Sequence, residues 1–191
     1  MEVGKTLYVT DRNAWRRWLS KHSRTAPDIW LVYYRKESGK KRIPYNDAVE
    51  EALCFGWIDS LAKPRDAKSW VQRFTPRRNG SPLSETNKER IRRLMKAGKM
   101  TRAGLDSIEH HLERRTKRKP VLKKFTLPAD ILSALKAEPH AWKNFSRFPE
   151  RYKRIRVAWI DGVRKRPEVF RQRLRYLIKM SAKNKRFGMV Q

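Results

Sequence analysis

The sequence predicts an α+β fold, with an N-terminal antiparallel-sheet module that carries helices and a small C-terminal helical module. Residues 29–34 and 70–75 are rich in β-branched and aromatic side chains, which favour strands. Apolar residues recur at helical spacing around these segments, and beyond residue 127 every periodic segment is helical. This segregation of strand and helix signals along the chain is typical of the α+β class.

The first helix is predicted after Thr10, where Asp11 and Asn13 are helix-start residues. The side chains that share its apolar face are Trp15, Trp18, Leu19 and His22. We therefore expect this helix to face the core. Residues 29–34 follow as a central strand, which a turn at residues 38–40 ends.

A second helix is predicted to start at Asn46 and to stop at Gly56. Asparagine is a common N-cap, and glycine readily adopts the left-handed conformation at a helix C-terminus. Residues 57–60 then continue as a short extended segment. Residues 70–75 alternate in polarity, so we expect a second strand that ends at Pro76.

Two more helices are predicted, one from Ser84 to Gly98 and one from Thr101 onwards. Residues 114–124 then hold seven basic side chains and no acidic one, and their mutual repulsion together with Pro120 favours a linker. The predicted organisation is an α+β domain at residues 1–115, a basic linker at 116–126 and a helical region at 127–191.

Four helices are predicted in the last region, each with a proline in its first turn, where the missing N–H is tolerated. Their predicted bounds are 128–137, 139–148, 149–164 and 167–182. The third and fourth carry apolar stripes that can pack against each other.

Composition limits the classes of protein that this chain can be. Its 191 residues fit one domain or two small ones, and 48 basic against 19 acidic side chains give a net charge of +29. Cys54 is the only cysteine, which excludes an intramolecular disulfide and a zinc site built on several thiolates. The N-terminal residues show no secretory signal pattern, and no apolar stretch approaches the roughly 18 residues that span a bilayer. We therefore expect a cytoplasmic protein without a cofactor or metal.

Several sequence blocks resemble a known family. The blocks are residues 51–60, residues 73–78 with Ser81, Ser84 and Asn87, residues 94–100, residues 127–130 and residues 152–160. Together they are similar to the YdeI/OmpD-associated proteins. The resemblance implies a cytoplasmic α+β protein from a family associated with bacteriocin protection and the cell envelope, without a settled reaction. A family name by itself does not supply a mechanism.

The block from Trp57 to Asn87 predicts a site for a small anionic or polar ligand. Guanidinium groups recognise anions by paired hydrogen bonds, a helix N-terminus at Ser84 favours negative charge, and aromatic rings offer a platform. The predicted ligand-binding residues are Trp57, Asp59, Arg73, Phe74, Arg77, Arg78, Ser84 and Asn87. In the alternative interpretation, Asp59 pairs with Arg73 or Arg77 to fix two strands, and Ser84 only caps a helix.

The excess of positive charge supports a second hypothesis, contact with nucleic acid or with an anionic membrane surface. The candidate residues for nucleic acid are Arg114, Arg115, Lys117, Arg118, Lys119, Arg171, Arg175 and Lys179. These basic residues lack the interleaved exposed aromatic residues of a single-strand platform, and no zinc-finger or RNA-recognition motif accompanies them. The alternative is a solvated, highly charged surface.

A third hypothesis, an enzyme that uses Cys54 or Asp59, has little support in the sequence. The histidines that could act as a base for Cys54 lie on other predicted helices, so a buried, inert thiol is expected. His110 and His111 diverge by about 100° on a helix and do not predict a shared metal ion. We therefore expect a non-enzymatic protein that binds a small anionic or polar ligand and has a role in bacteriocin or envelope stress protection.

Overall fold

The computed structural model describes residues 2–78, 80–110 and 125–188. The described chain separates into two compact units, the first built mainly from residues 2–110 and the second mainly from residues 125–188. The strands of the first unit are β1 (Thr6–Leu7), β2 (Ile29–Tyr34), β3 (Trp57–Asp66) and β4 (Ser69–Pro76). Its helices are α1 (Arg12–His22), α2 (Tyr45–Cys54), α3 (Glu85–Lys96) and α4 (Arg102–Asp106), with a short 3-10 helix at Lys36–Ser38.

The four strands form one sheet in the order β1-β2-β4-β3. Strand β4 pairs antiparallel with both β2 and β3, whereas β1 pairs parallel with β2 through Thr6 opposite Trp30 and Leu7 opposite Leu31. The α+β class is confirmed, but the sheet is mixed and not wholly antiparallel. A two-residue strand is too short to show a period of two in the sequence, so the parallel edge could not be predicted.

Alternate residues of each strand point to opposite faces of the sheet. On one face, Phe74 and its neighbours are buried in a core shared with α1 and α2, and the Phe74 ring packs edge-on against Trp15 with 5.5 Å between ring centroids. On the other face, Trp30, Val32 and Val71 form a separate small cluster. We call these the helix-covered face and the reverse face.

The ends of the first helices follow local signals in the sequence. Asp11 caps α1 as predicted, because its Oδ1 accepts a hydrogen bond from the backbone N–H of Ala14 at 2.9 Å. Helix α2 begins at Tyr45, after Pro44, so Asn46 is not its N-cap. The start of a helix tolerates proline. The Asn46 amide is therefore not used as a cap, and it makes a tertiary contact that is described below.

The backbone of helix α4 is in direct contact with the backbone at the end of α2. The N–H and the hydroxyl of Thr101 donate to the carbonyl oxygen of Cys54 at 3.0 and 2.7 Å. A Cβ atom at Gly104 would overlap that carbonyl group, and Gly56 has a φ of +75°. Glycine is therefore required at both positions, at Gly104 for close approach and at Gly56 for its left-handed conformation.

An ion-pair network joins α1, α2 and α3. The buried Glu51, with a side chain 3% exposed, accepts hydrogen bonds from Arg12 Nε at 2.5 Å and Arg16 Nη1 at 2.6 Å. Glu50 accepts from Arg12 Nη2 and Arg93 Nη2, both at 2.8 Å. Because one partner of each bond to Glu51 is buried, these pairs are screened less than pairs on an open surface.

The second unit is helical. Its helices are α5 (Ala129–Lys136), α6 (Pro139–Arg147), α7 (Glu150–Asp161) and α8 (Pro167–Ala182). Helix α8 has the predicted bounds, but it packs more extensively on α6 than on α7. The Asn144 amide of α6 reinforces this contact, because it donates to the carbonyl oxygens of Ser181 and Ala182 at 2.9 and 3.3 Å. These carbonyls lie in the last turn of α8, where they have no partner within the helix.

Most of the predicted basic linker, residues 116–124, lies outside the described residues, as do the candidate side chains Arg114 and Arg115. The predicted domain boundaries therefore stay a prediction. Among the helices of the described chain, none combines the length and apolar character needed to cross a membrane.

Candidate functional site

The pleat of β3 and β4 divides the predicted ligand-binding residues between the two faces of the sheet. In the register of this hairpin, Asp59 lies opposite Phe74 and Ile58 lies opposite Thr75. Asp59 and Phe74 therefore belong to the helix-covered face, and Arg73 belongs to the reverse face. The predicted residues do not form one site.

Trp57 and Phe74 are core residues. Trp57 is 1% exposed, and its indole N–H donates to the carbonyl oxygen of Ser23 at 3.0 Å. Phe74 is fully buried beside Trp15. The structure gives both side chains a packing role, and neither ring presents a face to a ligand, contrary to the predicted aromatic platform.

Asp59 pairs with neither Arg73 nor Arg77, so the pairing expected in the alternative interpretation is wrong. The hydroxyl of Tyr45 donates to Asp59 Oδ2 at 2.5 Å on the helix-covered face. Arg73 lies on the reverse face and donates to Asp28 instead. Residues that are close in sequence are here separated by the sheet itself.

A buried arginine that the sequence analysis missed lies near Asp59. Arg90 of α3 is 7% exposed, and its Nη1 and Nη2 donate to the amide oxygens of Asn87 and Asn46, both at 2.8 Å. Burial lowers the pKa of Arg90, and Asp59 opposes this shift electrostatically. The predicted residue Asn87 therefore orients Arg90, and Arg90 links α3 to the first turn of α2. The spacing of three between Asn87 and Arg90 on a helix is the signal that could have identified this pair.

The buried hydroxyl of Tyr33 lies in the same region. It has no hydrogen-bond partner among the described residues, and burial raises its pKa. Burial, followed by the negative charge of Asp59, also raises the pKa of Tyr45. Both phenols therefore stay protonated at neutral pH and can act only as neutral hydrogen-bonding groups there.

Arg77 holds the turn after β4. The side chain is buried, its Nη2 donates to the carbonyl oxygen of Ser81, and burial lowers its pKa. The backbone N–H of Arg77 donates to the carbonyl oxygen of Gly56 at 2.8 Å. Both contacts are internal, so Arg77 stabilises this loop and does not face a ligand. Ser84, the last residue before α3, is exposed.

A surface pocket of about 500 Å³ lies on the reverse face, at the open end of the β3–β4 hairpin, where β3 begins and β4 ends. It contains two of the predicted ligand-binding residues, Arg73 and Arg78. The lining residues, which define what we call the Arg73 pocket, are Pro27, Ile58, Ser60, Arg73, Thr75, Pro76, Arg78 and Ser81. The pocket thus combines guanidinium groups with hydroxyl groups and a few apolar side chains, as small-molecule sites do.

The guanidinium of Arg73 is held in a fixed orientation. Its Nε and Nη2 donate to Asp28 Oδ2 at 2.9 and 2.6 Å, and both side chains are about one-quarter exposed or less. Nη1 of Arg73 has no partner within the described chain. The second guanidinium, that of Arg78, is exposed and pairs with no described carboxylate. The two arginines with Asp28 leave an excess of one positive charge at this pocket.

Two other surface pockets of comparable size are less suited to a ligand. One, around Tyr34, Lys40 and Asp66, lies at the β3–β4 turn, where Asp66 is already bonded to Lys68 N–H and the Ser69 hydroxyl. The other contains Arg16, whose guanidinium is used by Glu51 and by the carbonyl oxygen of Lys99. The first pocket contains no arginine. The second also contains the exposed Arg17, but its other guanidinium, that of Arg16, is held by contacts within the protein.

Cys54 is unsuited to nucleophilic catalysis. The side chain is fully buried, and burial raises the pKa of its thiol to about 11. The reactive form of a cysteine is the thiolate, which is scarce at a pH four units below such a pKa.

Within residues 2–78, 80–110 and 125–188, no group of three or more His, Cys, Asp or Glu side chains could hold a metal ion. His111 lies outside these residues.

The described nucleic-acid candidates lie on helix α8. Arg171, Arg175 and Lys179 are all exposed, and Arg171 forms an ion pair with Glu168. The other candidates, Lys117, Arg118 and Lys119 with Arg114 and Arg115, lie outside the described residues.

Comparison with known proteins gives two family matches. Residues 7–107 match the family described as Domain of unknown function (DUF8412), and residues 124–184 match the family described as Bacteriocin-protection, YdeI or OmpD-Associated. No curated protein and no solved structure matches the chain. The predicted resemblance to the YdeI/OmpD-associated proteins is confirmed by the match at 124–184, whereas the blocks at 51–60 and 73–87 lie in the region of the other match. The chain therefore belongs to the DUF8412 family, whose model covers more than half of it, and its residues 124–184 are similar to the family described as Bacteriocin-protection, YdeI or OmpD-Associated.

Proposed function

We propose that this protein binds a small anionic ligand in the Arg73 pocket and acts by binding, not by catalysis. The observation that carries this proposal is the fixed orientation of the Arg73 guanidinium by Asp28, which leaves Nη1 unused at the pocket. An arginine whose rotamer is already fixed loses little conformational entropy when a ligand binds. A phosphate or carboxylate group would accept a charge-assisted hydrogen bond from Nη1.

The remaining lining residues suit the same ligand class. Thr75 lies on the same face as Arg73 and offers a hydroxyl donor, and the exposed Arg78 adds a second cation at the rim. Ser60 also lines the pocket, and its hydroxyl donates to the carbonyl oxygen of Arg73 at 3.5 Å. Ile58 and Pro76 contribute apolar surface. A volume of about 500 Å³ accommodates a molecule the size of a sugar phosphate or a small dicarboxylate.

A role in bacteriocin or envelope stress protection is part of this proposal. Its support is the bacteriocin-protection description of the family that matches residues 124–184. A cytoplasmic location is proposed with it, because the single, buried Cys54 is compatible with a reducing compartment. In this proposal the anionic ligand is a signal or metabolite that the first unit senses.

The test is a binding screen by isothermal titration calorimetry with inorganic phosphate, a set of sugar phosphates and a set of small dicarboxylates. For a ligand found with the unaltered protein, Arg73→Gln is expected to weaken binding by roughly 10- to 150-fold, the usual effect of losing a charged hydrogen bond. Arg73→Lys keeps the positive charge but not the planar set of N–H donors of a guanidinium, and it is expected to restore only part of the affinity.

Two further variants distinguish the pocket from general charge. Arg78→Gln removes an exposed cation from the rim and is expected to weaken binding by a smaller factor. Arg65→Gln removes an exposed cation of β3 outside the pocket and is the matched control. Equal affinities of Arg73→Gln and Arg65→Gln for the ligand would refute the proposed site.

A further inference from the structure

We propose that the exposed face of helix α8 binds single-stranded nucleic acid. This is a second, independent site in the second unit, and it does not depend on the Arg73 pocket. The residues that define this α8 surface are Arg171, Arg175, Tyr176, Lys179 and Lys183.

The cations of the α8 surface are arranged in a row. Arg171, Arg175 and Lys179 of α8 and Lys183, its C-cap, are spaced by four residues. Successive cations are therefore about 6 Å apart along the helix and about 40° apart around it, and the row extends over about 18 Å. The sequence from residue 169 to residue 188 contains seven basic side chains and no acidic one. A row of this kind can follow a phosphate backbone, whose negative charges also repeat along a line.

Most of these cations are not neutralised within the protein. Arg171 pairs with Glu168 in the first turn of α8. Arg175, Lys179 and Lys183 are exposed, and in the described part of the chain no carboxylate pairs with any of them. They keep their full charge for an external polyanion, and their contacts would release condensed counterions from the nucleic acid.

An exposed aromatic ring lies beside the row, about 60° around the helix from Lys179. Tyr176 is 45% exposed and packs edge-on against Phe187, with 4.7 Å between ring centroids and an interplanar angle of 76°. A base can stack on a tyrosine ring that is accessible in this way. The sequence-based expectation that no exposed aromatic residue accompanies the basic ones is therefore wrong at this helix. Bases are available for stacking in a single strand and not in a duplex, which favours a single-stranded partner.

The apolar side of α8 argues against a membrane surface as the partner. Leu177 is fully buried, and Leu174 and Ile178 are packed against the core of the second unit. A helix that lies on a bilayer inserts its apolar side between the lipids. The apolar side of α8 is already packed in the core of the second unit, so only its cationic side is accessible to a partner.

The test uses the full chain and a fluorescein-labelled oligothymidylate of about 20 nucleotides, with binding followed by anisotropy between 50 mM and 200 mM salt. The triple variant Arg175→Gln, Lys179→Gln, Lys183→Gln is expected to bind about tenfold or more weakly. The slope of log affinity against log salt is expected to fall in magnitude by about 2, because each phosphate contact to a single strand contributes about 0.7.

A matched control carries the same change of charge in the first unit: Lys21→Gln, Lys41→Gln, Lys68→Gln, at three exposed lysines. It is expected to change the affinity less than threefold. If the two triple variants lose affinity equally, the binding reflects net charge alone, and the proposal for α8 is overturned. All six positions are exposed, and circular dichroism checks that both variants keep their helices.

The stacking role of Tyr176 has its own readout. Tyr176→Ala is expected to weaken binding of the single strand about fivefold or more, and to leave binding of a duplex of the same length unchanged. An equal loss for single strand and duplex would overturn the single-strand assignment.

The last experiment uses vesicles that contain phosphatidylserine. If the protein binds these vesicles but not the oligonucleotide, and the α8 triple variant loses the binding to vesicles, the proposal is overturned in favour of a lipid surface.

Discussion

The contact between α2 and α4 leads to a prediction that reverses the usual effect of its substitution. Gly104 lies inside α4, and an alanine at a helical glycine ordinarily stabilises the helix by about 1 kcal/mol. Here the added Cβ would overlap the carbonyl oxygen of Cys54 and lie 2.7 Å from its carbonyl carbon. Both of the obstructing atoms are backbone, so relief requires α4 to move away from α2.

The size of the effect follows from what that movement breaks. Overpacking of a tight contact costs about 1–3 kcal/mol. The two hydrogen bonds from Thr101 to the Cys54 carbonyl contribute about 0.5–1.5 kcal/mol each. After the gain in helix propensity of about 1 kcal/mol is subtracted, Gly104→Ala is expected to lower the free energy of unfolding of the first unit by about 1–5 kcal/mol.

The assay is urea denaturation, with native-state hydrogen exchange at the amides of β2 and β4 to report on the first unit. Gly4→Ala is the control, because a Cβ at that position meets its neighbours only at 3.7–3.8 Å. The control is expected to stay within about 0.5 kcal/mol of the unaltered protein. A Gly104→Ala protein as stable as the control, or more stable, would refute the reasoning from close approach.

Three further predictions concern polar side chains that are buried or partly buried. Glu51→Gln removes the negative charge that Arg12 and Arg16 share, and it is expected to lower the free energy of unfolding by about 2 kcal/mol. The loss is smaller than for a fully buried pair because the arginines are partly exposed. Urea denaturation measures the change, and an unchanged free energy of unfolding would contradict the prediction. Burial raises the pKa of Cys54 from 9.0 to about 11, so its contribution to stability is complete below pH 9 and is lost as the pH rises towards 11. A Cys54→Ala protein is expected to lose less stability over that range, as thermal unfolding at several pH values can show, and identical pH profiles would count against it. Asn144→Ala removes both hydrogen bonds to the last turn of α8 and is expected to destabilise the second unit by about 1–2 kcal/mol, with faster hydrogen exchange at the end of α8 but not of α5.

Local signals in the sequence predicted the elements whose structure depends on neighbouring residues. Asp11 caps α1, residues 29–34 form a strand, and α8 has its predicted bounds. Each of these depends on a cap, a run of strand-forming residues or a helical stripe within about 16 residues. The α+β class followed from their order along the chain.

The arrangement of the site could not be predicted in the same way. The partner of Arg73 is Asp28, 45 positions away, and no local pattern connects them. The sequence block from residue 57 to residue 87 suggested one cluster, but the alternation of β3 and β4 sends Trp57 and Asp59 to one face and Arg73 to the other. The exposure of Tyr176 likewise depends on which side of α8 the core of the second unit covers.

The ion-pair network of the first unit has a kinetic consequence. Glu50 and Glu51 are only 14% and 3% exposed, and they direct their negative charge towards Arg12, Arg16 and Arg93. These ion pairs neutralise their arginines as well as the two carboxylates, and the net charge of +29, which counts all of these groups, is what an approaching partner meets at a distance. The field of this charge attracts anions before they reach any site. Diffusional encounter with an anionic partner is therefore expected to be fast at low ionic strength, and to slow as salt is added, even for a ligand whose rate of dissociation does not change.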